Sequence, residues 1–315
     1  MEQPSEPPGD ATSTRSEIWM PYGDIILQVQ GTQFRVNRDV LAKHSAVFHD
    51  LFSVPQPPNE VTVEGCHIVQ LSDSAEDWVL LLEFLYDPFD PKTTPEFDLL
   101  AAMLRLGKKY EISRAEEDSV SRIQYEFPSD FQAFNDLDAD MTKIKYHRGI
   151  YCDLLRLAYE CGVYSSIPLL AFCCLRTDKL ETIFKGVRRS DGSSATLPDD
   201  LKLTMALALE RIALFQHESL SWLRTASVIP HTACQSKARC TEQQHSMARV
   251  VEQDHKGQFN LGYTIDQWDD RWTGMLCPVC DAAAEGVYEL NRAKGWELLP
   301  GFFGLPQWEE LRNLV

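Results

Sequence analysis

Four cysteines in the last third of the 315-residue chain are spaced for metal chemistry. Cys277-Pro-Val-Cys280 has the spacing of a zinc knuckle, and Cys234 and Cys240 can supply two more thiolates to a tetrahedral ion. Five residues separate Cys234 from Cys240, against roughly two to four between common ligands, and 36 separate Cys240 from Cys277. His231, His245 and His255 therefore stand as substitute ligands. The competing reading makes the same thiols small buried hydrophobes or surface thiols. If zinc binds, it is a structural cofactor that lends folding energy to a region poor in long periodic segments.

Catalytic patterns are missing. His217-Glu218 lacks a second histidine one turn later, where Ser221 and Trp222 stand, so it is not a zinc-protease helix. There is no G-x-S-x-G elbow and no phosphate-binding glycine loop, and no local context activates a thiol. No catalytic residue is expected, and an enzyme built on the C-terminal Cys/His region is the opposing class. Trp268, Trp272, Trp296, Phe302, Phe303 and Trp308 read as the core of that region rather than as a ligand pocket.

The totals narrow the rest. A formal charge of −17 repels phosphate backbones, so direct nucleic-acid contact is not expected. Neither a secretory signal nor an uncharged run of about eighteen apolar residues is present, which predicts an intracellular protein, cytoplasmic or nuclear, with no membrane partner. Nine cysteines, two of them the neighbours Cys173 and Cys174, fit a reducing compartment.

The elements that must position these residues follow from period and punctuation. Residues 1–17 are rich in Pro, Ser, Thr and acid and predict a disordered tail. Ile25, Leu27 and Val29 alternate, and Phe34 and Val36 resume the pattern beyond Gly31, which predicts a hairpin. Asn37 and Ser45 are positioned to cap two short helical turns. Short strands at 61–63 and 68–71 and a Ser74-capped helix over 77–86 come next, then a helix opened by Thr94-Pro95-Glu96 and another opened by the box at 113–116. Beyond an acidic loop-like stretch around 126–148, helices are predicted at 150–161, after Ser165 and over about 201–223, with a polar loop at 185–200. From 227 onward short apolar fragments suggest a small irregular module.

Taken in order, the first third resembles the BTB/POZ family. The resemblance rests on Asp24 at the first strand, Phe34 three residues before Asn37, Val40-Leu41-Ala42, then Ser45, Phe48 and Leu51-Phe52, and on the order hairpin, helix pair, two strands, DWVLLLEFLYD helix, LLAAMLRLGKKYEI helix. It implies an α+β fold: a small sheet flanked by helices at 22–124, then a helical extension at 125–226 and the Cys/Trp-containing module at 227–315. It also implies a protein–protein interaction protein, a scaffold or adaptor that pairs with itself or with another protein. The arrangement is most similar to fungal BTB proteins with a long cysteine-containing extension.

Within that family an acidic residue at the start of the first strand and a basic residue after the Phe-x-x-His step form a charged pocket at the dimer interface. Asp24 and Arg38 occupy the matching places, and the alternative is an intrachain salt bridge. Asn37 replaces the family's histidine, and the N-terminal tail offers no apolar strand for exchange between subunits. Cullin-binding members carry a hydrophobic-x-Glu motif, for which Pro58-Asn59-Glu60 is a poor match. A cullin ubiquitin-ligase adaptor and a transcriptional co-regulator recruited through partners are the alternative functions.

Overall fold

The computed structural model describes residues 13–54, 62–87, 93–256 and 259–313. The chain divides into two compact units, Met1–Arg122 with Thr142–Lys145, and Ile123–Met141 with Tyr146–Val315. The residues expected as a helical extension, apart from Thr142–Lys145, and those expected as a separate C-terminal module fall within the second unit.

Among the described residues the first unit contains five strands, β1 (Thr14–Trp19), β2 (Ile25–Val29), β3 (Thr32–Val36), β4 (Thr62–Val63) and β5 (Cys66–Leu71). They form one sheet in the order β1-β3-β2-β5-β4. Gln30 and Gly31, at φ of 46° and 81°, make the two-residue turn whose twist suits the β2–β3 hairpin. Ile25 then pairs with Val36 and Val29 with Thr32, as the alternation predicts. On its other side β2 runs parallel to β5, from Ile25 opposite His67 to Val29 opposite Leu71.

Strand β1 is a departure, because it takes in Thr14–Glu17 from the expected tail. An edge strand needs only backbone partners along one side, and β1 finds them on β3, with the Arg15 guanidinium 3.8 Å from the centre of the Trp19 ring. Low apolar content is therefore no bar to its forming. Residues 1–12 of the expected tail lie outside the described residues.

Among the described residues five helices follow the hairpin: α1 (Arg38–His44), α2 (Ala46–Ser53), α3 (Ala75–Tyr86), α4 (Phe97–Lys109) and α5 (Ser113–Glu126), the last continuing past the end of the first unit. Ser45 caps α2 by accepting the Phe48 N–H, and Ser74 caps α3 by accepting that of Asp77. Phe48, Trp78 and Tyr110 form an aromatic knot, with Phe48 stacked on Tyr110 at 5.0 Å and edge-on to Trp78 at 5.9 Å. At Gly107 a Cβ would come within 2.9 Å of the Glu116 amide nitrogen, so the approach of α5 to α4 requires glycine.

Asp73 ties this knot to the sheet side of α3. Its carboxylate accepts from Lys109 Nζ and Tyr110 Oη, each at 2.5 Å, and from Trp78 Nε1 at 3.2 Å. Burial alone would raise its pKa, but the Lys109, Tyr110 and Trp78 hydrogen bonds outweigh burial and hold it below the ordinary carboxylate value. The Asp73 contribution is thus present above the unfolded-state pKa and lost as pH falls through the depressed folded value. Asp73→Ala, which leaves the Tyr110 and Trp78 donors unpaired, is expected to cost about 1–3 kcal/mol at pH 7 in chemical denaturation and to flatten the acid limb of the stability profile.

The second unit holds α6 (Phe131–Asn135), α7 (Ile150–Cys161), α8 (Ile167–Thr177), α9 (Leu180–Lys185), the strand pair β6 (Val187–Arg188) and β7 (Ser194–Ala195), and the long helices α10 (Asp199–Ser219), α11 (Lys237–Asp254) and α12 (Pro278–Phe302). Gly162, left-handed at φ 71°, ends α7 as its position predicts. The expected polar loop at 185–200 contains the β6–β7 pair, held to α7 by fully buried Asp153, which accepts from Arg189 at 2.5 and 3.0 Å and contacts His147 at 2.9 Å.

The expectation of an irregular C-terminal module is corrected by α11 and α12. Helix α11 is mostly polar and buries only Cys240, Gln244, Met247 and Val251, so its apolar stripe is thin. Helix α12 contains Gly286, Gly295, Pro300 and Gly301, which read as breakers in isolation. Tertiary packing overrides them, for at Gly295 any Cβ would collide with the Thr264 carbonyl. The aromatic series divides in two: Trp268 and Trp272 pack with Trp222, Tyr263 and Tyr288, while Trp296 stacks on Trp308 at 5.0 Å and on Phe134 at 4.9 Å. Among the described residues no helix is long and apolar enough to cross a membrane.

Candidate functional site

Two sets of residues, one singled out by the family resemblance and one by cysteine spacing, are brought together, one in each unit. In the first unit the chain leaves β3 at Val36 and enters α1 at Arg38, which sets the helix start beside the start of β2. Asp24 Oδ1 accepts the backbone N–H of Arg38 at 2.8 Å, while Oδ2 lies 3.7 Å from Arg38 Nε. The carboxylate therefore satisfies a first-turn amide of α1 and also faces the positive end of that helix.

Asn37 was the expected cap, and it makes no side-chain cap bond. Its Nδ2 donates to the Tyr22 carbonyl at 3.0 Å, and its Oδ1 and backbone N–H engage the Tyr86 hydroxyl. With that side chain committed elsewhere, the capping role passes to Asp24. Sequence reasoning found the pair but not the backbone bond, because the acceptor comes from a strand fourteen residues away.

The side-chain half of the pair is loose. Arg38 Nε is buried without a hydrogen-bond partner, and its guanidinium sits 5.7 Å from the Phe52 ring centre. On α2, Val47 and Leu51 stand exposed at i and i+4, Val54 in extended backbone just past the helix end is 61% accessible, and Tyr22 beside Asp24 is 91% accessible. Single exposed apolar residues need no explanation, but a stripe at helical spacing is a surface that can bury area against another protein.

In the second unit the sulfurs of Cys234, Cys240, Cys277 and Cys280 all lie within 4.8 Å of one another, and Cys234 and Cys277 are 3.7 Å apart. Four sulfurs about 2.3 Å from a central zinc would stand about 3.8 Å apart, so little contraction is needed. The fold assembles them at two helix starts. Cys277 is the N-cap of α12, with Pro278 at the first helical position and Cys280 within the first turn. Cys240 sits in the first turn of α11, and Cys234 closes a turn on His231.

Backbone donors already face the sulfurs. His231 N–H points to Cys280 Sγ at 3.3 Å and Cys277 N–H to Cys240 Sγ at 3.5 Å. The Cys280 N–H lowers the Cys277 thiol to about 7, whereas burial pushes Cys280 up to about 12 and raises Cys240. Four thiolates in this largely buried place require a compensating cation. The three candidate histidines take other partners: His231 Nδ1 accepts from Ala233, His255 Nδ1 accepts from Asn260 and stacks on Phe259, and His245 is exposed on α11. Among the described residues the four cysteines are the one group fit to hold a metal.

Residues 19–126 match the family model of the BTB/POZ domain. No curated protein matches the chain. The Pro58-Asn59-Glu60 motif lies outside the described residues.

Removing the cap acceptor separates its intrachain role from any other. Asp24→Ala is expected to cost about 1 kcal/mol in the denaturation midpoint. Arg38→Ala should cost less, since a partly exposed pair of this geometry is worth roughly 0–1 kcal/mol.

Proposed function

Starting from a BTB/POZ domain at residues 19–126, a protein–protein interaction module, we propose that the chain is an adaptor or scaffold that pairs through the exposed face of α2. The observation that carries this reading is the Val47, Leu51, Val54 stripe, with Tyr22 and the Asp24–Arg38 pair in the same unit. An apolar strip supplies area, and the charged pair beside the α1 start supplies register. A second copy of the chain is the partner proposed first.

The second unit is proposed to carry one structural zinc on Cys234, Cys240, Cys277 and Cys280. Support comes from the sulfur separations, their burial and the backbone donors around them. A closed set of four thiolates leaves no coordination position for substrate, so the ion's contribution is to fold α11 against α12 rather than to catalyse.

Light scattering on the eluting full chain tests the pairing. The wild type is expected at twice the 35.9 kDa chain mass, and Val54→Asp or Leu51→Asp at that mass itself. A wild type that stays monomeric and captures the same proteins as Val54→Asp would remove the α2 face from the interface. Loss of a captured cullin with Val54→Asp would instead make the chain a ligase adaptor.

Elemental analysis tests the metal. About one zinc per chain is expected, and Cys280→Ser should lose it together with at least about 3 kcal/mol of stability. A zinc-free preparation with its α11 and α12 amides protected from exchange would sink the site.

A further inference from the structure

An open cleft of about 630 Å³ lies within the second unit, of the size that holds a side chain or small ligand. Its walls are aromatic: Phe127 stands edge-on to Tyr151 at 6.1 Å, and Tyr146 meets Tyr151 at 6.4 Å and 64°. Asp138 and Asp140 also line it, both exposed and neither with a hydrogen bond or ion pair.

Two cations border the same space, and both are already occupied. Arg176 pairs with Asp266 at 2.8 Å. Arg292, nearly buried, gives its donors to the Ile265 carbonyl, Glu289 and Asn135 Oδ1. Arg292 thus has no free fork for an anion, and the charge of half-exposed Arg176 is met by Asp266. The carboxylates do not form a divalent-cation site, since among the described residues only the four cysteines gather ligands closely enough.

Catalysis does not suit the cleft either. Burial pushes the Cys173 thiol and the Tyr151 hydroxyl up to about 12, so both are protonated and neutral near pH 7. What remains in the lining is a group of aromatic rings and two unpaired carboxylates.

We propose that this cleft binds an arginine side chain of a protein partner, the guanidinium lying against Tyr146 and Tyr151 and pairing with Asp138 or Asp140. A guanidinium is planar and weakly hydrated, stacks on rings and donates in a fork to carboxylates, which matches both components of the wall. The chain's charge of −17 favours encounter with a basic segment, while the rings select for the planar cation among basic ones. This inference concerns the second unit and stands whether or not the α2 face pairs.

The test titrates the full-length protein into a fluorescein-labelled Gly-Ser-Arg-Gly-Ser-Arg peptide and reads anisotropy. Citrulline peptides keep the shape and lose the charge, and free arginine as competitor separates a side-chain site from one that needs the peptide. Saturable binding is expected, weakened about tenfold or more by citrulline, by Tyr146→Ala and by Asp138→Asn with Asp140→Asn. Lysine in place of arginine should bind more weakly, and Glu309→Gln with Glu310→Gln, exposed acids outside the cleft, should change nothing. Equal binding of the citrulline peptide overturns the proposal. So does an equal loss on neutralising Glu309 and Glu310, or no binding up to about 1 mM peptide.

Discussion

Strand β2 is enclosed on both faces and paired on both edges, and the first unit is arranged around that fact. Ile25, Ile26, Leu27 and Val29 are all but inaccessible, so every backbone donor and acceptor between them must be met within the sheet. Strand β3 meets one edge and β5 the other. The hairpin side needs a two-residue turn of left-handed backbone, which Gln30 and Gly31 supply, and the parallel side needs a crossover, in which α1 and α2 lie. Where β2 begins, Asp24 is still outside the core and free to reach the α1 amide. The charged pair is therefore a consequence of where the buried strand starts.

Much of this was legible because the signals are local. Alternation at 25–36, serines one residue before helices and the glycine at 162 each report their own surroundings, and the structure repeats them. Ile26 shows the limit of the method. It falls on the polar side of the alternation, yet is fully buried, because a strand covered on both faces reads as a continuous run rather than as an alternating one. The cap at Asn37 failed for a related reason. Its side chain obeys Tyr22 and Tyr86, which are distant in sequence, and no window around residue 37 contains them.

The second unit was less legible. Residues 234, 240, 277 and 280 were identified by type and count, and their convergence was foreseeable only in part, since the widths of the two gaps do not fix which helices deliver them. Helices α11 and α12 were missed outright. In α11 the buried stripe is interrupted by Gln244, whose amide bonds the Trp222 and Thr225 carbonyls and so behaves as a core residue while scoring as polar. In α12 glycine is required where Thr264 approaches, so the residue that argues against a helix is the one the packing demands. The cleft carried no sequence signal at all, because Phe127, Tyr146, Tyr151 and Asp266 come from separated segments.

The two units gather different chemistry. In the first, the exposed apolar strip and a loosely paired arginine are features that a monomer has no reason to retain for stability, since surface pairs contribute little and exposed valines nothing. In the second, the hydroxyl and thiol that border the cleft are neutral, its arginines are satisfied from within, and four thiols near one another leave no open coordination position. A site prepared for catalysis needs a group poised near neutrality and within reach of substrate. Cys277, the thiol lowered to about 7, lies among three other sulfurs and does not line the cleft. Side chains already held by neighbours lose less motion on association than free ones, which is the physical advantage such a wall offers to a partner.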